Sequence, residues 1–325
     1  MLEDTLADLE GGKSGFAFGS GMAAETTVTH LLQSGEHLLC VADMYGGTYR
    51  LLKEIMPAYG VTSTFIKMET PEMIEAAIEP NTRMVWIESP TNPLLNVVDI
   101  AMVAHVARKH GLIGVIDNTF ASPYFQQPLG LGMDISLHSL TKYLGGHSDV
   151  VGGAVITARD DLAVKLKKLQ VGMGPILGPF DSWLVLRGIE TLALRMKQHE
   201  ANARAVAGYL NRHPVVARVM YPGLEGHPGY HIAKKQMSGF GGMVSFELEG
   251  GKSMALEFLR STRLFALADS LGGTHSLAEN ASMQSHASMD IEYRKKIGIS
   301  DGLIRLSVGL EHIDDLLEDL EMAIK

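Results

Sequence analysis

Cysteine is almost absent from this sequence, and so are the long apolar runs of membrane-spanning helices. The one cysteine, Cys40, excludes an internal disulfide framework and a cysteine-based zinc site. It lies in the apolar run HLLCVAD, which favours a small buried core residue. No apolar stretch reaches the ~20 residues of a membrane-spanning helix, and no signal-peptide pattern is visible, so we expect a cytosolic location.

The sequence also lacks a cluster of basic residues. The formal net charge of −9 and the pI near 5.8 argue against nucleic acid as a partner. The histidines show no metal-binding spacing, so we predict no metal site. Hydrophobic residues make up 46% and charged residues 20%, as in an ordinary globular enzyme, and 325 residues suffice for two domains.

Strand and helix patterns alternate along the first half of the chain. After an opening helix at 1–10, strands are predicted at 37–43, 61–66, 84–88 and 112–117, and helices at 47–58, 70–79 and 99–110. Apolar strands in this rhythm favour an α/β fold with a mostly parallel sheet covered on both faces. Ligands of such sheets bind at the carboxyl ends of the strands.

The second half of the chain has longer loops and strands of alternating polarity. One long helical stretch is predicted at about 181–212, with Trp183 among its core positions. Strands are predicted at 215–221, 243–248, 264–268 and 303–308, and the last helix at 312–324. This pattern favours an antiparallel sheet. We therefore predict a large domain at 1–193 and a smaller α+β domain at 194–325.

Residues 134–153, DISLHSLTKYLGGHSDVVGG, place Lys142 between a short apolar strand and a glycine-rich turn. A buried lysine is costly unless its charge is paired or removed, and one means of removal is a Schiff base with a carbonyl compound such as pyridoxal phosphate (PLP). Ser139 and Thr141 add hydroxyls suited to a phosphate ester. Taken alone, a lysine in such a loop is more often solvated.

The turn Gly19-Ser20-Gly21-Met22 precedes a predicted helix, and such a helix start is a phosphate-binding site. The same residues fit the dinucleotide pattern G-x-G-x-x-A, with Asp43 at a following strand end. A nicotinamide-linked oxidoreductase is therefore an alternative at this point, although the strand before Gly19 would be very short.

Three further residues each allow a functional and a structural interpretation. Asp117, at the end of LIGVID, either caps a turn or holds a heteroaromatic nitrogen protonated. Tyr45 is either an ordinary half-buried tyrosine or an aromatic plate stacked on a flat cofactor, with a hydroxyl for proton transfer. Arg305, in the apolar strand LIRLSV, needs an anion, which is either a structural acid or a substrate carboxylate.

Taken together, the motifs resemble the Cys/Met-metabolism family of PLP enzymes along essentially the whole chain. They are FGSGMAA, DMYGGTYRLL, ESPTNPLLNVVDI, VIDNTFASPYFQQPLGLGMDISLHSLTKYLGGHSDVVGG, SLGGTHSL and GISDGLIRLSVGLEHIDDLLEDL. The resemblance disfavours the nicotinamide alternative. It implies the PLP-dependent transferase-like fold of aspartate aminotransferase (type I).

The resemblance also implies roles for individual residues. Lys142 would form the Schiff base with PLP and move protons, Asp117 would pair with the pyridine nitrogen, and Tyr45 would stack on the ring and act as a base. The remaining implied contacts are Gly21, Met22, Ser139 and Thr141 with the phosphate, and Asn92, Ser270 and Arg305 with the substrate carboxylate and the cofactor's ring oxygen.

The activity implied first is a cystathionine γ-lyase-type elimination on an amino-acid substrate. Cystathionine γ-synthase, O-acylhomoserine sulfhydrylase and methionine γ-lyase activities are the alternatives within the family. A non-catalytic oligomer partner is the alternative from another class. The family also implies a homodimer or homotetramer.

Two features depart from the family pattern. Family members usually carry several dozen residues before the helix at 1–10, and this arm brings a tyrosine and an arginine to a neighbour's phosphate. From its absence in the sequence we expect weaker PLP binding, a dimer and an apolar patch at Leu2, Leu6 and Leu9. In addition, His275 stands where many cystathionine enzymes have an acidic residue.

Overall fold

A seven-stranded sheet organises the first half of the molecule in the computed structural model, which describes residues 1–324. The strand order is β1-β7-β6-β5-β4-β2-β3, where the strands are β1 Ser14–Phe18, β2 His37–Val41, β3 Thr62–Ile66, β4 Thr82–Glu88, β5 Ile113–Asp117, β6 Ile135–Ser139 and β7 Gly153–Thr157. The pairings from β3 to β6 are parallel, and β7 runs antiparallel to β6 and β1. The predicted mostly parallel sheet is confirmed.

Helices cover this sheet because its central strands are apolar on both faces; every residue of β2 and β7 is buried. The helices are α1 Leu2–Glu10, α2 Gly21–Thr29, α3 Gly46–Arg50, α4 Pro71–Glu75, α5 Ile100–Lys109, α6 Ser122–Phe125, α7 Asp160–Met173 and α8 Pro179–Glu190. The predicted helix at 47–58 is a helical stretch of three forms, since a π-helical and a 3₁₀ segment follow α3.

The second sheet lies in the C-terminal part of the chain, in the order β10-β11-β12-β9-β8. Its strands are β8 Val216–Met220, β9 Met243–Leu248, β10 Ala266–Leu267, β11 Leu277–Asn280 and β12 Leu303–Ser307, and the helices are α9 Leu192–Leu210, α10 Tyr230–Gln236, α11 Gly251–Ser261, α12 Ile291–Ile297 and α13 Ile313–Ala323. All pairings are antiparallel except that of β10 with β11. A separate core, from Ala203 to Ile324, agrees with the proposed boundary at 193/194, which stays a prediction.

The single helix predicted at 181–212 is wrong, because α8 ends at Glu190 and α9 begins at Leu192. The side chain of Arg195 stabilises the break by donating to the Gly188 carbonyl at 2.6 Å and to the Thr191 hydroxyl at 3.0 Å. The Gly188 carbonyl also accepts from the main-chain N–H of Thr191 at 3.3 Å, so Arg195 adds a second donor at the end of α8. Trp183, predicted in the core, is 48% exposed.

The prediction of an exposed apolar patch at Leu2, Leu6 and Leu9 of the first helix is also wrong. Leu2 and Leu6 are buried in a core cluster with residues of β1, β7 and α8, and Leu9 is partly buried against the same cluster. In the described part of the chain, residues 1–324, no helix is both long and apolar enough to cross a membrane.

Candidate active site

The carboxyl ends of β4, β5 and β6 open into a cavity of about 310 Å³, a size typical of small-molecule sites. All the site residues predicted from the sequence line this one cavity: Gly21, Met22, Tyr45, Asn92, Asp117, Ser139, Thr141, Lys142, Ser270 and Arg305. The first sheet brings Asn92, Asp117 and Lys142 together because parallel strands end at a common edge, where the loops that follow them meet. Ser270 and Arg305 come from the part of the chain that forms the second sheet.

Lys142 lies in the turn after β6 and points its amine across the cavity. The amine donates a hydrogen bond to the Ser270 hydroxyl at 3.1 Å. Burial and, to a lesser extent, the nearby guanidinium of Arg305 lower the pKa of Lys142 to about 8, against the opposing effect of the surrounding acids. The uncharged, nucleophilic form of this amine is therefore far more populated near neutral pH than in an ordinary lysine.

Asp117 ends β5 with its carboxylate on the cavity wall, and its Oδ1 accepts a hydrogen bond from the Thr119 amide at 2.9 Å. Burial raises the pKa of Asp117, while the bonds from Thr119 and the charges of His138 and Lys142 lower it. A cationic ring nitrogen placed beside Asp117 would favour the ionised carboxylate further.

Sequence reasoning missed two buried carboxyl groups on the same wall, Glu25 and Glu88. Burial, together with the smaller effect of the Asp117 charge, raises the pKa of Glu25 to about 8. Burial also raises the pKa of Glu88 well above its ordinary value, although its Oε2 accepts from the Tyr45 amide at 2.9 Å. Both positions could have been predicted from the sequence, because Glu25 follows Gly21 by about one helical turn and Glu88 ends β4.

The start of α2 forms a cradle suited to an anion. The Ser20 side chain caps the helix by accepting from the Ala23 amide at 3.0 Å, which leaves the first amides, of Gly21 and Met22, without helical partners. A Cβ at Gly21 would lie 3.1 Å from the Cβ of Ser139, so glycine keeps this approach open. Helix-end amides beside a serine hydroxyl match a phosphate group.

Tyr45 immediately precedes α3 and is 37% exposed on the cavity wall. A Cβ at Gly47 would lie 2.4 Å from the Tyr45 ring and 2.9 Å from the Met22 sulfur, so glycine at 47 makes room for the ring. Burial raises the pKa of Tyr45, so its phenol is protonated near neutral pH.

Arg305, on β12, has both an acid partner and access to the cavity. Its Nη1 lies 2.9 Å from the buried Glu279 carboxylate and donates to Asn92 Oδ1 at 2.8 Å. Its Nη2 donates to the main-chain carbonyl of Ser270 at 3.2 Å. The sequence analysis left open whether the anion is a structural acid or a substrate carboxylate. The structure contains a structural acid, Glu279, and Arg305 also lines the cavity.

The nicotinamide alternative does not fit this geometry. β1, which precedes the Gly19 turn, is an edge strand antiparallel to β7, whereas a dinucleotide site requires a parallel β-α-β unit. Asp43 is buried and accepts hydrogen bonds from the Thr91 hydroxyl and, at 2.9 Å, from the side-chain amide of Asn96, so it is not free to bind a ribose.

Comparison with known proteins decides the family. The family model described as "Cys/Met metabolism PLP-dependent enzyme" matches residues 1–325. The chain belongs to this family. It is 49% identical to a cystathionine γ-lyase of Bacillus subtilis and to a cystathionine β-lyase of Lactococcus lactis subsp. cremoris, in each case over 100% of this chain and 85% of the relative.

Comparison with solved structures supports the same family. A solved cystathionine γ-lyase of Lactobacillus plantarum, complexed with L-serine, superposes with a TM-score of 0.97 at 47% identity and covers 99% of this chain and 84% of that one. The expected type I fold of PLP enzymes is thereby confirmed. As a member of this family, the chain is a PLP-dependent carbon–sulfur lyase of sulfur amino-acid metabolism.

The cavity fits the family's cofactor. PLP is a flat pyridine ring that carries an aldehyde and a phosphate, and the cavity offers an amine, an acid, an aromatic ring and an anion cradle. Glu25 Oε2 is buried without a hydrogen-bond partner in the described chain, which is the kind of polar atom that a bound group would satisfy.

The cavity wall also differs from expectation on the substrate side. His275, which replaces an expected acid, is exposed and does not line the cavity. Asp269 does line it, next to Ser270, and sequence reasoning did not name it. Ser285 and Phe120 complete the wall on this side.

Proposed function

We propose that this lyase cleaves the Cγ–S bond of L-cystathionine. With water, the reaction releases L-cysteine, 2-oxobutanoate and ammonia. The observation that carries the proposal is that Lys142, Asp117 and Arg305 face one cavity, in a chain 49% identical to a cystathionine γ-lyase. Cystathionine has a carboxylate that the Arg305 fork can bind and two ammonium groups that suit the acidic wall.

PLP, when bound, stores the electron pair left at Cα after proton loss. Lys142 would attach the cofactor aldehyde and, once freed, remove the Cα proton, which its lowered pKa favours. Asp117 would hold the ring nitrogen protonated. The amides of Gly21 and Met22 and the hydroxyls of Ser139 and Thr141 would hold the phosphate.

Arg305, Asn92 and Ser270 would position the substrate. Their polar atoms converge, since Arg305 bonds both the Asn92 side chain and the Ser270 carbonyl. Tyr45 would stack on the ring. Because burial raises the pKa of Tyr45, we propose that in the resting enzyme the phenol is a proton donor, suited to the leaving sulfur. Its predicted action as a base remains a prediction for the substrate-bound enzyme.

Product analysis tests the proposal. Purified protein with PLP and L-cystathionine should yield 2-oxobutanoate and cysteine in equal amounts. The second candidate is β-elimination, favoured by the equal identity to a cystathionine β-lyase, and it would yield pyruvate and homocysteine. Incubation with O-succinylhomoserine plus cysteine tests for synthase activity, and L-methionine alone tests for methionine γ-lyase. Absence of 2-oxobutanoate from L-cystathionine would overturn the proposal. If, in addition, cystathionine gives no pyruvate, O-succinylhomoserine plus cysteine gives no cystathionine and L-methionine gives no keto acid, a non-catalytic role is favoured.

We further propose a homo-oligomer, dimer or tetramer, in the cytosol. Several large apolar side chains are exposed on α7, α8 and α9 and in the turn before α8, namely Val164, Val171, Ile176, Phe180, Trp183 and Leu194. Exposed apolar groups of this kind mark interaction surfaces. Light scattering of the purified protein measures the oligomeric state directly.

A further inference from the structure

His286 joins three segments of the chain around the cavity. It lies between β11 and α12 and is fully buried. Its Nε2 is 3.1 Å from the carbonyl oxygen of Met44 and 3.0 Å from that of Asn92. Met44 directly precedes Tyr45, so one imidazole contacts both the loop of the proposed ring-stacking residue and that of a proposed substrate contact.

The hydrogen bonds determine where the ring proton is. Carbonyl oxygens only accept, so Nε2 must carry the hydrogen and donate to them. Nδ1 then accepts from the Ser285 hydroxyl, 2.9 Å away. Burial lowers the pKa of His286 to about 4, which agrees with a neutral ring in this tautomer.

The contacts continue from His286 to Arg305 and return to His286 through Asn92, so they form a closed network. Ser285 Oγ also lies 2.7 Å from Glu279 Oε1, and Glu279 pairs with Arg305 at 2.9 Å. Arg305 in turn donates to the side chain of Asn92, whose main-chain oxygen accepts from His286. The single Ser285 proton has two acceptors, so its bond to Nδ1 competes with its bond to the Glu279 carboxylate. Nε2 likewise has one hydrogen, which the carbonyls of Met44 and Asn92 share.

Steric contact reinforces the same arrangement. A Cβ at Gly46 would lie 2.3 Å from the carbonyl oxygen of Ser285, so the segment that carries His286 lies directly on the Tyr45-Gly46 turn. A side chain at position 46 would separate the two segments. The imidazole therefore bonds across an interface that is already closely packed.

We propose that His286 is a positioning residue, which fixes the Tyr45 loop and the Asn92 loop relative to Arg305. This proposal rests on the proposed function for the roles of Tyr45, Asn92 and Arg305. His286 itself does not line the cavity. Its effect would pass through the two main-chain carbonyls, so that the substrate carboxylate meets Arg305 and Asn92 in one fixed geometry.

The test compares His286→Ala and His286→Gln with His199→Ala. His199 is a matched control, because it is also fully buried and bonds a main-chain carbonyl, that of Val308, at 2.7 Å. Hydrogen exchange measured by mass spectrometry, on PLP-loaded protein without substrate, reports on residues 43–50 and 89–96. Steady-state kinetics with L-cystathionine reports KM and kcat separately.

For His286→Ala, we expect exchange in both segments to rise by about fivefold or more, since two carbonyl bonds of modest net strength are lost. KM should rise about tenfold with a smaller change in kcat. His286→Gln, whose side-chain amide N–H can reach a carbonyl, should show a smaller rise in exchange and a smaller rise in KM than His286→Ala. His199→Ala should lower the melting temperature without changing exchange in the two segments.

Unchanged exchange at 43–50 and 89–96 in His286→Ala would overturn the proposal, as would an equal rise in His199→Ala. If His286→Ala does not fold, Ser285→Ala and His286→Gln provide the test, and each should raise exchange at 43–50 and 89–96 by a smaller factor. Unchanged exchange in both of these variants would overturn the proposal. A wild-type protein that does not cleave cystathionine would refute the proposed function alone, because the exchange measurement needs no substrate.

Discussion

The amine of Lys142 lies 3.1 Å from the hydroxyl of Ser270, a residue that is 128 positions later in the chain. This contact places the nucleophilic group at the junction of the two sheets. The first sheet supplies the lysine and its acid, and the second supplies Arg305. Neither half of the chain contains a complete site.

Replacing Lys142 by alanine should abolish turnover and the visible absorption of bound cofactor while the fold is kept. We expect the rate of keto-acid release to fall by at least ~10²–10⁴-fold, the range of a lost acid–base group, because the covalent attachment is lost as well. Lys13→Ala, which removes an exposed ion pair with Asp160, is the control and should retain full activity. Wild-type turnover in Lys142→Ala would refute the assignment.

Replacing Arg305 by leucine should damage both substrate binding and stability. A lost hydrogen-bonded charge costs about 1.5–3 kcal/mol, or about 10- to 150-fold in kcat/KM. The variant also leaves Glu279 buried without its partner, which typically costs about 3–5 kcal/mol of stability.

A double variant separates the two effects of this substitution. Glu279→Gln combined with Arg305→Leu removes the unpaired charge, so the melting temperature should recover while kcat/KM stays low. Recovery of both quantities would mean that Arg305 serves stability only.

Replacing Asp269 by asparagine should weaken binding of substrates with a distal ammonium group. Asp269 is exposed on the cavity wall, and an ion pair at such a place is worth about 0.2–1 kcal/mol, so KM for L-cystathionine should rise about 1.5- to 5-fold. His275→Ala is the control, since His275 lies off the cavity. KM for L-methionine, which lacks the distal group, should not change, and an equal rise for both substrates would contradict the assignment.

Much of the site could be predicted because its residues follow strands. Asp117 ends β5 and Lys142 follows β6, and neighbouring parallel strands end at the same edge. The local patterns therefore place these groups together before any tertiary contact is known. The family resemblance added the residues from the second sheet, including Ser270 and Arg305.

The remaining features depend on contacts between distant segments, which no local pattern records. Glu279 lies opposite Arg305 only through the register of β11 with β12. His286 is one of many histidines in the sequence, and its two carbonyl partners are 194 and 242 positions away. The break at Thr191 was missed because the apolar spacing continues through it, and the side chains of Thr191 and Arg195 that bond the Gly188 carbonyl do not alter that spacing.

Glu25 makes the stability of the protein depend on pH. The pKa of this carboxyl is about 8 in the folded chain against an ordinary value of 4.5. Below pH 4.5 the group is protonated in both the folded and the unfolded state. Between pH 4.5 and about 8 the unfolded state ionises while the folded state keeps its proton, so the free energy of unfolding falls as the pH rises.

Replacing Glu25 by glutamine should remove this contribution, since the amide has the same shape and cannot ionise. Melting temperatures measured without added PLP from pH 5 to pH 8.5 should fall less steeply for Glu25→Gln than for the wild type, and the variant should be the more stable protein at pH 8.5. Glu54→Gln, at an exposed position, is the control and should follow the wild-type curve. Parallel curves for Glu25→Gln and wild type would show that the pKa of Glu25 is not raised in the folded chain, and would contradict the assignment. A PLP titration at pH 7 then measures whether the neutral carboxyl also contributes to the cofactor site. If Glu25 donates a hydrogen bond to the cofactor, Glu25→Gln should preserve most of the affinity. Glu25→Ala should lose about 2- to 12-fold, as expected for one neutral hydrogen bond of ~0.5–1.5 kcal/mol.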